Sequence, residues 1–237
     1  MASSTPLLLY LPGMEGTGKL LYRQEPELAA HYQVVSLPSR SATPFQYNEL
    51  IQDVLEAINQ HDAEKAIIVA ESFGGTVALQ FALEHQERVE RLVLINTFPY
   101  FRRRFRMRLG LLLLPLTFQR FGNVVREFFY KTALAFEGVA KEDIAKVFEC
   151  AFSHGYSTSR NRMRLMIDLD LRNRLSEIRV PVTLIASARD KIVPSVKEAQ
   201  YMAERLQNAQ VIVLPHHGHT PLITTTFSLA SVLRDAT

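Results

Sequence analysis

One cysteine, Cys150, stands in a chain of 237 residues, which excludes an intramolecular disulfide and fits a reducing compartment. Long apolar runs are also missing. The leucine-rich stretch Leu109-Gly110-Leu111-Leu112-Leu113-Leu114-Pro115-Leu116 falls far short of the ~20 residues that a membrane-spanning helix needs. The N-terminus carries no basic segment followed by a long apolar stretch, so it does not read as a secretory signal, and a soluble cytoplasmic protein is the expectation. Charge of one sign is scarce: 27 basic against 24 acidic residues leave a net +3, much of it local to Arg102, Arg103, Arg104, Arg106 and Arg108. No nucleic-acid motif or interleaved aromatic platform accompanies those arginines, so no nucleic-acid partner is expected. Internal repeats, low-complexity tracts and flexible linkers are absent. What is there is 47% hydrophobic, enough for one well-packed core around a mostly buried sheet.

Short unbroken apolar runs predict strands at Leu7–Leu11, Gln33–Leu37, Ala66–Ala70, Arg91–Asn96, Val180–Ala186 and Gln210–Leu214. Helical spacing predicts helices at Tyr47–Gln60, Gly75–His85, Ser195–Leu206 and Pro221–Arg234. This alternation points to an α/β protein with a mostly parallel sheet of about six strands, covered on both faces, and a ligand site at the strands' carboxyl ends.

Within Ala70-Glu71-Ser72-Phe73-Gly74 a serine sits between a buried strand and a helix. A tight strand-to-helix turn needs small neighbours, which Ala70, Gly74 and Gly75 supply, and it pushes the hydroxyl above the sheet edge. The same serine could instead be a helix N-cap and nothing more. Three other segments end at the same edge. Pro12-Gly13-Met14-Glu15-Gly16-Thr17-Gly18 leaves the first strand; it lacks the spacing and the Gly-Lys-Ser/Thr of a phosphate-binding loop. Asp190 follows the fifth strand, where an ordinary turn Asp is the plain alternative. His216, His217 and His219 follow the sixth; as a metal cluster they lack the acidic and cysteine ligands expected nearby, and no metal or other cofactor is expected.

Together these segments resemble the α/β-hydrolase family, whose elbow reads G-x-S-x-G, with Ala70 here in place of the first glycine. The resemblance covers nearly all of the chain. It implies Ser72 as nucleophile, Asp190 as triad acid and His219 as general base, in the family's chain order. It assigns the oxyanion hole to the backbone N–H groups of Met14 and Phe73. It also implies a compact version without the two N-terminal strands common in the family. The opening Leu7–Gly18 segment with Glu71-Ser72-Phe73-Gly74-Gly75 further resembles the hydrolase portion of plant phytyl ester synthase and diacylglycerol acyltransferase-like proteins, though no H-x-x-x-x-D acyltransferase motif is present.

The core domain is then expected over 1–97 and 176–237, with a helical cap inserted over 98–175 between the fourth and fifth strands and helices near Gly122–Leu134, Lys141–Ser153 and Ser159–Leu171. The arginine block beside the leucine run, in the 102–116 segment, either docks on an anionic lipid surface or keeps its arginines solvated while the leucines pack over an acyl pocket. Cys150 reads as packing. The expected activity is hydrolysis of a carboxylic ester with a hydrophobic acyl group, a small hydrophobic ester being the partner. Two other activities of the fold remain open: acyl transfer, and lyase chemistry on a carboxylate held by cap arginines such as Arg160, Arg162, Arg164, Arg172 and Arg174. From another class, a non-catalytic ligand-binding module would keep the pocket without needing the base. Glu71 and, with it, Arg162 and Arg164 are the candidate substrate contacts. A carboxylate at Glu71 would disfavour anionic substrates unless one of these arginines neutralised it.

Overall fold

The computed structural model describes residues 5–42, 44–105, 107–109, 111 and 139–235. Six strands, β1 (Leu7–Leu11), β2 (Gln33–Ser36), β3 (Ala66–Glu71), β4 (Val89–Ile95), β5 (Val182–Ser187) and β6 (Ala209–Leu214), form one sheet in the order β2-β1-β3-β4-β5-β6. Every neighbouring pair is parallel. All residues of β1, β3 and β5 are buried, as unbroken apolar strands require when helices cover both faces. Alternate side chains then divide between two cores. Leu7, Leu9 and Leu11 join Ile51 and Val54 of α2 (Tyr47–Gln60), Val77 and Phe81 of α3 (Phe73–Glu84) and Met202 of α6 (Ser195–Ala203). Leu8 and Tyr10 join Leu28 of α1 (Glu25–Leu28) and Leu229 and Leu233 of α7 (Leu229–Asp235).

From β1 the chain moves out to β2 and then returns to β3 on the other side of β1. The strand order reverses between β1 and β3, where connections leave in opposite directions and a crevice opens at the carboxyl ends. Met14 follows β1 and Ser72 follows β3, so the topology alone brings these two segments together.

The helix expected over Pro221–Arg234 is interrupted. A 3-10 turn at Pro221–Ile223 is followed by a non-helical stretch with a turn at Thr225–Thr226 before α7. Gln24, buried, occupies that break: its amide donates to the carbonyls of Leu222 (2.9 Å) and Phe227 (3.1 Å), and its Oε1 accepts from Leu229 N (2.9 Å). Backbone groups that a continuous helix would have satisfied internally are satisfied here by a side chain some two hundred residues away.

The connection between β4 and β5 carries α4 (Lys141–Ser153) and α5 (Tyr156–Asp168). Its two ends run side by side, with a bridge between Tyr100 and Asp170 and a bond from Leu171 N to Pro99 O of 2.9 Å. Part of the arginine block is spent there. Arg104 and Arg172 lie over the Tyr100 ring at 3.8 and 3.9 Å, and Arg104 also donates to Leu169 O. Arg102 pairs with the buried Glu198 of α6. Phe105 is 80% exposed and Leu109 46%. The helix expected over Gly122–Leu134, the leucine run from Leu112 onward, Gly110 and Arg106 lie outside the described residues. Cys150 packs with Leu20, Val147 and Ile223. No helix among the described residues is long and apolar enough to cross a membrane.

Candidate active site

Ser72 links β3 to α3 with φ 51° and ψ −113°, in the left-handed half of backbone space that non-glycine residues rarely adopt. Bonds on both sides hold it there: Ser72 N donates to Ile95 O (2.9 Å), and Ser72 O accepts from Thr97 Oγ1 (2.7 Å) and Gly75 N (3.1 Å). The glycines after it are demanded by contact. A Cβ on Gly74 would stand 2.3 Å from Leu11 O, and one on Gly75 would stand 2.4 Å from Thr97 Oγ1. Ser72 occupies the N-cap position of α3, yet its hydroxyl makes no capping bond to the helix. It lies 3.0 Å from His219 Nε2 instead.

His219 Nδ1 is 2.7 Å from Asp190 Oδ2, and the Asp190 side chain is wholly buried. Burial would raise the Asp190 carboxyl, but the charge and hydrogen bond of His219, with bonds from Ser195 and Val193, outweigh it and hold the carboxyl below its ordinary value. An ionised carboxylate only accepts, so Nδ1 carries the proton and Nε2 is left to accept from the Ser72 hydroxyl. Burial would lower His219, but the Asp190 charge and hydrogen bond, helped by Glu71, hold it above its usual value. Asp190 is also the turn residue it resembled: Oδ1 accepts from Ile192 N (2.8 Å) and Val193 N (3.0 Å). Of the neighbouring histidines, His216 is exposed and His217 turns to Thr226 Oγ1 at 3.0 Å.

Gly13 O accepts from Gly16 N at 3.1 Å, closing a turn over Gly13–Gly16. Because a trans peptide directs its C=O and N–H oppositely, the Met14 N–H, in the same peptide as Gly13 O, points out of that turn. A Cβ on Gly13 would lie 3.4 Å from Ser72 Cβ, so this peptide passes beside the serine. Phe73 is the first residue of α3, where an N–H has no intrahelical acceptor and the helix dipole is positive. A cavity of about 160 Å³ opens onto Ser72 and His219, walled by Leu20, Phe98, Met107, Val147, Met163 and Ile192.

The three residues expected to contact substrate fare differently. Glu71 lines this cavity but is 2% exposed, and Tyr10 OH donates to its Oε2 at 3.1 Å. It is neither solvated nor paired with an arginine, because its place in β3 turns it into the core beside Tyr10. Arg162, fully buried, sends its guanidinium beneath the turn to Met14 O at 2.7 Å and does not line the cavity. Arg164 lies exposed on another face of the same helix.

Burial raises the Glu71 carboxyl to about 7, with His219 and Tyr10 pulling the other way. An acid raised by folding binds more protons folded than unfolded, so its contribution to stability falls as pH rises from 4.5 to about 7 and stays lost above. Glu71→Gln should therefore be more stable than the native protein at pH 8, by at most about 3 kcal/mol, and so melt higher, and converge with it as pH falls toward 4.5. Equal melting temperatures at pH 8 would refute this.

Sequence reasoning passed over Asn96. It follows β4 directly at φ 48°, is 1% exposed, and donates from Nδ2 to Ser187 Oγ (2.9 Å) and His219 O (2.8 Å) while its Oδ1 accepts from Ser187 N (2.8 Å). It thus ties the loop of His219 to the end of β5. An Asn just past an apolar strand, tolerant of left-handed backbone, was the available signal.

The family model of the alpha/beta hydrolase fold matches residues 6–226. The chain belongs to the α/β-hydrolase family. Among its relatives, the pimeloyl-[acyl-carrier protein] methyl ester esterase of Vibrio vulnificus (strain YJ016) is 26% identical over 230 residues, covering 92% of this chain and 88% of the relative. A protein of Caulobacter sp. (strain K31) named for carbamate hydrolysis, RutD, is 26% identical over 235 residues, covering 94% and 87%. The crystal structure of a hydrolase from Pseudomonas aeruginosa PA01 superposes with a TM-score of 0.87 at 21% identity, over 99% of this chain and 91% of that one, a likeness of fold. Family and relatives place this α/β-hydrolase among hydrolytic enzymes.

Proposed function

We propose that this α/β-hydrolase cleaves carboxylic esters with a hydrophobic acyl group through an acyl-Ser72 intermediate. The observation that carries this reading is the hydrogen-bonded line Ser72–His219–Asp190 ending in an apolar cavity at the β1/β3 crevice. A serine hydroxyl is a weak nucleophile at neutral pH. His219 Nε2 takes its proton as Oγ adds to the ester carbonyl, and Asp190 stabilises the imidazolium that results. The carbonyl oxygen becomes an anion, met by the N–H groups of Met14 and Phe73. Collapse breaks the ester C–O bond, His219 returns its proton to the departing alcohol, and water repeats the cycle on the acyl-serine to release the acid.

Residues 98–175 act as the cap and 1–97 with 176–237 as the core. Phe98, Met107, Val147 and Met163 of the connection wall the cavity, whereas Ser72, Asp190 and His219 come from the core. The carboxylate-binding reading finds little support. Arg162 is committed to Met14 O, while Arg172 pairs with Asp170 and Arg174 with Glu177. Two carboxylic side chains, Glu15 and Glu71, line the cavity instead. The relatives named above are hydrolases, which favours water over a second alcohol as acyl acceptor.

The cavity of about 160 Å³ is close to the ~150 Å³ apolar cavity that holds one benzene. Short acyl groups are therefore expected to fit best. Hydrolysis of p-nitrophenyl esters from acetate to palmitate should peak near butyrate to hexanoate and fall steeply for longer chains. A maximum at palmitate would overturn the short-chain expectation, and no turnover along the series would overturn the ester-hydrolase reading.

A further inference from the structure

We infer that Arg162 is a positioning residue for the oxyanion site, through which α5 holds the turn that carries the Met14 amide. This rests on the ester-hydrolase reading and extends it to a residue outside the reacting groups.

Arg162 is fully buried. Its Nη1 donates to Met14 O at 2.7 Å, and its Nη2 donates to Arg40 O at 3.2 Å and Ser39 O at 3.5 Å. The turn is shaped to receive it. Gly16 sits at φ +66°, and a Cβ there would stand 2.2 to 2.4 Å from the guanidinium, so the glycine makes room for the planar group as well as supplying the backbone angle. Glu15 is also buried and bonded to Thr17 N (2.6 Å); burial raises its carboxyl, and the bonds from Thr17 and Gly18 with the Arg162 charge partly offset that rise.

The consequence for chemistry follows from the turn's geometry. Gly16 N holds Gly13 O, and Arg162 holds Met14 O, so the carbonyls on both sides of Met14 are pinned. The Met14 N–H belongs to the first of those peptides and can rotate out of line only if the turn opens. An oxyanion donor displaced by a fraction of an ångström loses much of its effect, because the stabilisation depends on prior alignment. The same helix also lines the cavity through Met163 and Met166. It is stitched to the β2–α2 loop by Thr158 Oγ1 to Ser41 O and Asn161 Nδ2 to Phe45 O, both 2.8 Å. Thr158 therefore shares the anchoring task of Arg162 but does not touch the turn.

The test compares Arg162→Lys, Thr158→Ala, Met14→Pro and the double variant Met14→Pro/Arg162→Lys. Proline suits the second position of a turn and deletes the N–H in question. Arg162→Lys keeps a point donor and loses the fork, so kcat should fall at least about tenfold with KM within about twofold. The inhibition constant of a short alkyl trifluoromethyl ketone, whose adduct places an oxyanion at the same point, should rise by the same factor. Thr158→Ala should lower the melting temperature and leave kcat alone. In the Met14→Pro background, Arg162→Lys should reduce kcat no further, since the group it positions is gone. Additive losses, or a loss confined to KM, would overturn the role of Arg162. Native kcat in Met14→Pro would instead overturn the oxyanion assignment itself. If Arg162→Lys does not fold, Arg162→Gln, which keeps one neutral donor toward Met14 O and leaves the turn's own residues unchanged, enters the same cycle with the same expectations.

Discussion

Ser72→Ala is expected to reduce turnover of the preferred p-nitrophenyl ester by about a millionfold, to the residual that binding and the oxyanion donors alone supply. The substitution removes one oxygen and leaves the bonds that shape the elbow, because those run through backbone atoms of Ser72 to Ile95, Thr97 and Gly75. Fold and cavity should therefore persist, and the melting temperature should stay close to the native value. Labelling by a fluorophosphonate should vanish with the activity, since it needs the same activated oxygen. Turnover that survives the substitution would mean that the hydroxyl beside His219 is not the nucleophile. A non-catalytic binding module would show no labelling even in the native chain.

Asp190→Asn carries the second largest effect, about ten-thousandfold in kcat, for a reason visible in its contacts. The amide oxygen can replace Oδ1 in accepting from Ile192 N and Val193 N, so the turn is kept. The amide nitrogen then stands where Oδ2 meets His219 Nδ1. An NH₂ group donates, which leaves Nδ1 to accept and moves the ring proton to Nε2. That tautomer has no lone pair for the Ser72 proton. The loss should appear in kcat with KM little changed. A modest loss would indicate that Asp190 serves chiefly as the turn residue its backbone bonds also make it.

Much of the fold was legible because strand and helix periods are local properties. Short, β-branched apolar runs such as Ala66–Ala70, bounded by turn residues, favoured buried strands, and α2 and α4 fell where amphipathic spacing put them. The candidate site was legible for a related reason: Ser72, Asp190, His219 and Met14 each follow a strand's carboxyl end, and parallel strands deliver all such ends to one edge. What stabilises the break before α7 was not legible. Thr224, Thr225 and Thr226 and the N-cap Ser228, whose Oγ accepts from Ser231 N, do disfavour a continuous helix there, but nothing in these residues announces Gln24 as the partner from the other end of the chain. Arg162 was misplaced for the same kind of reason. Its type suggested a grip on a substrate carboxylate, but a guanidinium serves equally well on backbone carbonyls, and only packing chooses between them.

By itself, then, the sequence determined the elements, their parallel arrangement and which residues follow the strands' carboxyl ends, since these follow from chain-local patterns of size and polarity. Tertiary structure decided the rest. It turned Glu71 inward to Tyr10, spent Arg102 and Arg104 on Glu198 and Tyr100, and set Arg162 under the turn of Met14. Each of these depends on which distant group satisfies a buried charge or donor, and that is settled when segments far apart in the chain come into contact.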